Sequence, residues 1–244
     1  MKKHHIQLAL ILLTASTLAA AGKPTESQQQ NAVIQKLEQR LGAGQIETIT
    51  AGPVSGLYEV RTKSDILYTD KEGKYLIAGK VIDLTSGKNL TEERLNEINK
   101  IDFKTLPLDA AIKFTKGDGS RVIAIFEDPN CGYCKKLRHT LQEMDNITIY
   151  TYQFNILATD SKTKSHDIWC AADRAKAWDE WMLNNKVPAT ASADCKDPDE
   201  KVQALGKRYR IQGTPAIIFT DGSRIPGYVD AKALETKLAS VKAK

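Results

Sequence analysis

The sequence predicts an α+β protein with two structured parts joined by a helix. Residues 45–84 hold several short apolar runs separated by turn-forming residues, which is typical of a small antiparallel sheet. The next segment, residues 89–105, is charged and has the pattern of a short helix. From residue 106 to the end, strand-like and helix-like segments alternate, as they do in an α/β domain. We therefore expect domains at 22–88 and 106–244, with a linker helix between them.

The N-terminal part is expected to begin with a helix over residues 32–41, where apolar residues recur at helical spacing. Four strands should follow, at 46–49, 57–60, 66–69 and 75–84, with turns at 52–53, 63–65 and 70–73. A sheet of this size cannot hide both its faces and its edges. The linker helix that comes next is predicted to be capped by Thr91.

The first residues of the chain have the pattern of a cleaved secretory leader. A positive segment, 1–5, precedes a mostly apolar stretch, 6–18, and Ala19 to Ala21 offer a small-residue cleavage site. The apolar stretch is shorter than the roughly 20 residues of a membrane span, and polar residues interrupt it. We therefore predict a signal peptide of residues 1–21 and export into an oxidising compartment, where paired cysteines form disulfides.

Two cysteines separated by two residues follow a predicted buried strand at 121–126. The motif is Cys131-Gly132-Tyr133-Cys134, and the residues after it have helical apolar spacing. A helix N-terminus presents free backbone N–H groups and the positive end of the helix dipole, and both stabilise a thiolate. Basic residues close to the motif are expected to add to this field: Lys135, Lys136 and Arg138. We predict that Cys131 is the reactive sulfur and that Cys134, one turn further on, attacks mixed disulfides formed on it.

A Cys-x-x-Cys motif has other uses, which the rest of the chain disfavours. A structural zinc site needs four ligands, and Cys170 and Cys195 are neither paired at the spacing of zinc ligands nor joined by a nearby His that would complete such a set. Covalent haem attachment needs a His directly after the second cysteine, where this chain has Lys135. A purely structural Cys131–Cys134 disulfide would close a short, strained loop. Redox catalysis is favoured, no metal is predicted, and zinc remains the weaker alternative.

A second motif lies near the C-terminus. Thr214 and Pro215 precede an apolar run at 216–219, and a proline at the start of a strand removes no ladder hydrogen bond. The bond between them is a candidate for the cis form. A turn at 220–223 then predicts a hairpin, and a last helix should start at Asp230.

The order of these elements resembles the thioredoxin fold: strand, Cys-x-x-Cys helix, helical insertion, cis-proline loop, hairpin and final helix. More closely, the chain resembles the DsbC/DsbG family of periplasmic thiol:disulfide interchange proteins over nearly its whole length after the leader. The motif from Cys131 to Cys134 matches DsbC members, whereas DsbG members typically have Pro at the position of Gly132. Thr214 and Pro215 match the cis-proline loop of the family.

The resemblance implies a thioredoxin-like catalytic domain with a helical insertion at 106–244 and a dimerisation domain at 22–88. It implies that Cys131 and Cys134 form a redox pair that reshuffles non-native disulfides in misfolded exported proteins. The active-site loops would comprise Gly132, Tyr133, Thr214 and Pro215, with the proline loop aligning an extended substrate by strand addition. The resemblance further implies a homodimer, a DsbD-like membrane thiol reductase as electron donor, and no cofactor.

Two other functions remain open. One is a DsbG-like disulfide or sulfenic-acid reductase, against which Gly132 argues only modestly. The other is a periplasmic holdase chaperone, whose cysteines would be secondary. Loss of activity on removal of Cys131 distinguishes the enzyme from the holdase.

The remaining cysteines are Cys170 and Cys195. Four cysteines permit three pairings, and with Cys131 and Cys134 assigned to each other these two are expected to form a structural disulfide. Two buried free thiols are the alternative. The segment between them should be helical, with three large residues in the core: Trp178, Trp181 and Met182.

The charge of the chain is nearly balanced. The formal net charge is +5, and the basic residues are scattered along the sequence. We therefore expect no nucleic-acid partner. His139 and His166 have no cysteine or carboxylate at ligand spacing, and both are expected to be surface residues.

Overall fold

The computed structural model describes residues 24–63 and 65–241. The predicted signal peptide, residues 1–21, lies outside the described residues. The chain forms two compact units, divided between Ala78 and Gly79. No helix among the described residues has the length and apolar character needed to cross a membrane.

The first unit packs one helix against a four-stranded antiparallel sheet of order β1-β2-β3-β4. Its elements are α1 (Glu26–Leu41), β1 (Ile46–Ala51), β2 (Leu57–Thr62), β3 (Ile66–Asp70) and β4 (Leu76–Ile77). The core of this unit consists of apolar residues from the helix and the first two strands: Val33, Leu37, Ile49, Tyr58 and Val60. The sheet leaves β1 and β4 as its edges.

Helix α1 begins at Glu26, earlier than the expected residue 32, because Thr25 and Gln28 form a capping box. The hydroxyl of Thr25 accepts from the backbone N–H of Gln28 at 3.3 Å, and the Gln28 side chain accepts from the backbone N–H of Thr25 at 2.9 Å. These bonds satisfy N–H groups that a helix start otherwise leaves free.

The prediction of a strand over 75–84 is wrong beyond Ile77, where β4 ends. Backbone groups further along bond locally instead: Leu90 N–H donates to the Val81 carbonyl at 2.9 Å, and Asp83 N–H donates to the Lys88 carbonyl at 2.8 Å. These bonds form a short loop that ends at α2 (Leu90–Ile98).

The expected cap of this helix at Thr91 is also wrong. The N-cap of α2 is Asn89, whose side chain accepts from Glu92 N–H at 3.1 Å. The Thr91 hydroxyl accepts from Val81 N–H at 2.9 Å, so it is used by the preceding loop.

The second unit is a five-stranded sheet of order β5-β7-β6-β8-β9 with helices around it. Strands β6 and β7 are parallel and the other neighbours are antiparallel. After α2 its elements are β5 (Ile112–Lys116), β6 (Arg121–Glu127), α3 (Gly132–Gln142), β7 (Ile147–Gln153), α4 (Ser161–Trp169), α5 (Arg174–Asn184), α6 (Asp199–Arg208), β8 (Ala216–Phe219), β9 (Arg224–Pro226) and α7 (Ala231–Ser240).

Strand β6 lies in the middle of the sheet, and side chains on both of its faces are buried. Ile123 and Ile125 pack in a cluster with residues of α3 and α7, while Ala124 and Phe126 pack in a second cluster on the other face. Full burial of each isoleucine contributes roughly 1.5–3 kcal/mol. The strand ends at Glu127, and a short turn leads from there directly into α3. A central, largely buried strand therefore leads directly into the cysteine motif.

Candidate active site

Cys131 is the N-cap residue of α3, with an extended backbone conformation (φ −78°, ψ 112°). Its Sγ accepts a hydrogen bond from the backbone N–H of Cys134 at 3.1 Å. Its own N–H donates to the Asp128 carbonyl at 3.0 Å, which closes the turn after β6. The sulfur therefore lies where the free N–H groups of the helix point, as a thiolate requires.

A buried carboxylate holds the turn that precedes α3. Asp128 Oδ1 accepts from the Asn130 backbone N–H and from the Ser161 hydroxyl, both at 2.8 Å. Its Oδ2 accepts from the backbone N–H groups of Ile156 and Leu157 at 2.8 and 2.9 Å. One of these four hydrogen bonds closes the turn itself, and the other three tie it to the segment after β7 and to the start of α4. The sequence pattern did not indicate this role for Asp128.

The second predicted motif lies directly against the first. The Thr214–Pro215 peptide bond is cis, as predicted. The Cys131 thiol donates to the Thr214 carbonyl at 3.4 Å. Strand β8, which follows the proline, pairs antiparallel with β6, and Ala216 is opposite Phe126. Sheet pairing therefore brings together two motifs that are more than eighty residues apart in the chain.

The two motif thiols differ in proton affinity. The pKa of Cys131 is lowered to about 6, first by a hydrogen bond from the Cys134 thiol and further by backbone N–H groups of Cys134 and Tyr133, although burial opposes the change. Burial is the main cause that raises the pKa of Cys134, followed by its hydrogen bond to Cys131 and the charge of Glu127. Near neutral pH the site therefore holds a thiolate on Cys131 and a thiol on Cys134.

The two residues between the cysteines are exposed at the start of the helix. The Tyr133 ring is 66% exposed and lies 6.4 Å from the ring of Tyr228, centroid to centroid. A Cβ atom at Gly132 would meet no atom within 4 Å, so close packing does not require glycine there. Both positions are open to a bound polypeptide.

A buried carboxyl group lies behind the cysteines. Glu127, at the end of β6, is fully buried, and its Oε2 accepts from the Thr151 hydroxyl at 3.1 Å. Its Oε1 has no hydrogen-bond partner. Burial raises the pKa of Glu127 to about 7, the positive charge of Arg138 opposes the rise, and the charges of Cys131 and Asp179 add to it. This carboxyl group therefore exchanges its proton near neutral pH.

Arg138 does not add to an exposed positive field beside Cys131, as its position close to the motif had predicted. Its side chain is only 2% exposed, its Nε donates to Asp179 of α5, and its guanidinium stacks 3.6 Å from the Phe114 ring centroid. It acts electrostatically on Glu127 rather than widening an exposed positive field at the helix start. One sequence signal could have identified it, because positions 134, 137, 138 and 141 lie on one buried face of α3.

The helical insertion is joined by a disulfide between Cys170, at the end of α4, and Cys195, in the loop before α6. Their Cα atoms are 6.2 Å apart. Trp178 and Met182 are buried beside this bond and the two motif cysteines. Among the residues that the structure describes, no group of three or more His, Cys, Asp or Glu side chains is placed to hold a metal ion.

His166 differs from the surface residue that was expected. Its Nδ1 lies 2.5 Å from Asp197 Oδ2, and this contact raises the pKa of the imidazole. Sequence spacing gave no sign of the pair because 31 residues separate its members.

Comparison with known proteins covers both units. Residues 108–242 match the thioredoxin-like domain family, and residues 20–92 match the disulfide bond isomerase protein N-terminal domain. A probable thiol:disulfide interchange protein DsbC from Bordetella parapertussis is 45% identical over 210 residues, which cover 86% of this chain and 74% of that protein. The thiol:disulfide interchange protein DsbC of Dickeya dadantii is 32% identical over 251 residues, covering 100% of this chain and 98% of the relative. The chain belongs to the DsbC family of thiol:disulfide interchange proteins.

A solved structure agrees with this membership. The crystal structure of a disulfide interchange protein from Neisseria gonorrhoeae is 35% identical, with a TM-score of 0.54, and covers 57% of this chain and 100% of that one. The DsbC family membership confirms three predictions made from the sequence: the resemblance, the fold class with its thioredoxin-like domain, and a thiol:disulfide interchange enzyme.

Proposed function

We propose that Cys131 is the attacking thiolate and Cys134 the resolving thiol of a periplasmic protein disulfide isomerase that acts on misfolded exported proteins. One observation carries the assignment. The Cys131 sulfur accepts a backbone hydrogen bond at the start of α3 and has a pKa of about 6, whereas Cys134 is fully buried and its pKa is raised. A low pKa makes Cys131 both a nucleophile at neutral pH and a good leaving group, and an isomerase needs both properties.

The isomerisation cycle begins when the Cys131 thiolate attacks one sulfur of a non-native disulfide. A new bond joins Cys131 to the substrate, the substrate disulfide breaks, and the other substrate sulfur leaves with the electron pair as a thiolate. A different substrate thiolate, either free from the start or exposed by exchange with another substrate disulfide, then attacks the substrate sulfur of the mixed disulfide. A new substrate disulfide forms, the bond to Cys131 breaks, and Cys131 leaves as a thiolate, so the cycle has no net oxidation or reduction.

Cys134 provides an exit when the substrate finds no productive pairing. It loses its proton, attacks the Cys131 sulfur and releases the substrate as a dithiol, which leaves a Cys131–Cys134 disulfide. We propose Glu127 as the proton acceptor, because it is buried, its charge acts on Cys134, and its pKa is about 7. The oxidised enzyme must then gain two electrons and two protons, for which we propose a DsbD-like membrane thiol reductase.

The loops around Cys131 would hold the substrate chain. The Thr214 carbonyl is already within hydrogen-bond reach of the sulfur, so an extended substrate can pair with the backbone beside Pro215. Tyr133 and Gly132 are exposed at the same place and would contact residues that flank the substrate cysteine. Backbone pairing of this kind tolerates many sequences, which suits an enzyme with many clients.

We assign residues 22–88 to dimerisation, 89–105 to a linker helix and 106–244 to catalysis. Strand β4 is an edge of the first sheet, and its two residues, Leu76 and Ile77, are 41% and 45% exposed. A second copy of the chain could pair with this edge in a closed two-fold homodimer. The similarity to disulfide bond isomerase N-terminal domains supports this assignment.

The test is recovery of activity by a protein with scrambled disulfides, without added reductant. The wild type should restore the native disulfides, and Cys131→Ala should lose this ability completely. Cys134→Ala should retain early turnover but accumulate mixed disulfides, because the exit step is missing. A matched control, Cys170→Ala with Cys195→Ala, removes two cysteines outside the proposed reaction and should still isomerise.

The alternatives give different results in this assay. If neither the wild type nor Cys131→Ala restores activity, but both suppress aggregation of an unfolded client equally well, the protein is a holdase and the proposal fails. If the wild type reduces disulfides when given electrons but never raises the yield of native protein, it is a reductase.

A further inference from the structure

Two lysine ammonium groups lie over one tryptophan ring beside the active site. Lys135 Nζ, from α3, is 4.3 Å from the ring centroid of Trp181, and Lys164 Nζ, from α4, is 4.9 Å from it. Trp181 belongs to α5, so three helices contribute to this cluster. Each ammonium is attracted to the ring, but the two positive charges repel each other.

This cluster is fixed to the turn that carries Cys131. Trp181 Nε1 donates to the Pro129 carbonyl at 2.7 Å, and Lys164 Nζ donates to the Asn130 side-chain oxygen at 3.0 Å. The backbone N–H of Lys135 donates to the Cys131 carbonyl at 3.0 Å. Lys164 and Trp181 therefore contact the residues that directly precede the proposed nucleophile, and Lys135 lies one helical turn after it on α3.

The positive charge here is only partly compensated. Lys164 pairs with Asp160, whereas the side-chain partner of Lys135 is the uncharged amide oxygen of Asn185. Within 24–63 and 65–241, Lys135 has no carboxylate partner. Burial is the main cause that lowers the pKa of Lys135, and the charge of Lys164 lowers it further. A carboxylate placed between the two ammonium groups would relieve this repulsion.

We propose that Lys135, Lys164 and Trp181 form a binding site for an acidic side chain close to the reacting cysteine of a partner polypeptide. This inference rests on the proposed function, because it requires exchange at Cys131. The carboxylate would lie between the ammonium groups, and the ring would pack against the apolar part of the partner side chain. The partner is either a client or the protein that reduces the enzyme.

The test uses peptide disulfides whose cysteine is flanked by two Asp, two Asn or two Lys residues. The attack rate of reduced enzyme on each peptide is divided by its rate on uncharged bis(2-hydroxyethyl) disulfide, which removes any change in Cys131 reactivity. A single ammonium about 6 Å from a carboxylate in water gives about a threefold preference, so two should favour the Asp peptide over the Asn peptide by about tenfold. The preference should fall sharply in 0.5 M NaCl, because the Debye length is then only about 4–5 Å.

Variants locate the site. Lys135→Gln and Lys164→Gln should each lower the preference for the Asp peptide over the Asn peptide about threefold. The double variant should show almost no preference. Lys135→Glu should favour the Lys peptide. The matched control is Lys113→Gln, because Lys113 also lies over a ring, that of Tyr150 at 6.0 Å, but on β5. The control should keep the full preference.

The same peptides, supplied as reduced thiols to the oxidised enzyme, distinguish the two kinds of partner. A preference for Asp only when the peptide is a disulfide identifies clients, and a preference only when it is a thiol identifies the reducing protein. Either result supports the site. If peptide charge affects the rate neither with disulfide peptides nor with reduced peptides, the proposed site is refuted. It is also refuted if the preference for the Asp peptide changes equally in the double variant and in Lys113→Gln. Continued exchange with bis(2-hydroxyethyl) disulfide would show that the proposed redox function still stands.

Discussion

The buried Arg138 of α3 donates a hydrogen bond from its Nε to the half-buried Asp179 of α5, and the charges of both residues act on the carboxyl group of Glu127. The pair connects the helical insertion to α3, the helix that begins at the cysteine motif. Asp179 also raises the pKa of Glu127 directly through its negative charge. The insertion therefore influences the proton affinity of a group that lies behind the cysteines.

Replacing Asp179 should change the pH dependence of the resolving step. Asp179→Asn removes a negative charge and leaves the Arg138 charge free to act on Glu127, so the pKa of Glu127 should fall by about one unit. The rate at which Cys134 resolves a preformed mixed disulfide should then reach half its maximum at a lower pH. Glu180→Gln, which alters the neighbouring residue that pairs with Lys186, should leave the midpoint unchanged. An equal shift of the midpoint in both variants would contradict this electrostatic effect of Asp179 on Glu127.

Glu127 should make the protein less stable as the pH rises. Its folded pKa of about 7 is above the ordinary value of 4.5, so between these values the folded state binds the extra proton. The contribution of Glu127 to the free energy of unfolding is therefore greatest below pH 4.5, falls as the pH rises to 7, and is lower by about 3 kcal/mol well above that pH. Glu127→Gln should unfold at higher urea than the wild type at pH 8, and the two should nearly coincide at pH 4.5. The exposed Glu143→Gln variant is the control, and a pH-independent difference for Glu127→Gln would rule out this account.

Cys131 should be alkylated alone in the reduced protein at mildly acidic pH. Because the pKa of Cys131 is about 6, half of its thiol groups are ionised at about pH 6. Burial keeps Cys134 protonated at the same pH. Mass mapping of iodoacetamide adducts across pH 4–8 should give a labelling midpoint near pH 6 for Cys131. Equal labelling of Cys134 would overturn the assignment of the nucleophile.

The Cys170–Cys195 disulfide should stabilise the insertion without taking part in exchange. The bond links residues 25 apart, so its removal in Cys170→Ala with Cys195→Ala should lower the free energy of unfolding by roughly 3 kcal/mol. Dithiothreitol at concentrations that reduce the Cys131–Cys134 disulfide should leave this bond intact. Reduction of both bonds at the same concentration would argue against a purely structural role.

The N-terminal unit should be needed for isomerisation but not for simple exchange. Deleting residues 22–88 should give a monomer that still reduces small disulfides and loses most isomerase activity. In the full-length chain, Leu76→Lys places a charge on the exposed edge strand and should weaken the dimer, whereas Val187→Lys, in the other unit, should not. Light scattering measures the assembly, and a monomeric wild type would refute the dimer.

Local patterns in the sequence determined much of this protein. The Cys-x-x-Cys motif before a helical apolar pattern located Cys131 at a helix start, and the Thr214–Pro215 dipeptide before an apolar run located the opposing loop. The alternation of strands and helices after residue 106 predicted the α/β part. These features can be predicted from the sequence because helix capping, side-chain periodicity and turn formation depend on residues close together in the chain.

Only the tertiary structure decided what surrounds the cysteines. Arg138 and Asp179 are 41 residues apart, and Lys135 and Lys164 share the ring of Trp181 although all three lie on different helices. The helix periodicity of α3 indicated that position 138 is buried, but not which charges it would meet there. A pKa depends on burial and on charges brought close by packing, so the near-neutral pKa of Glu127 could come only from the folded arrangement of β6, α3 and α5.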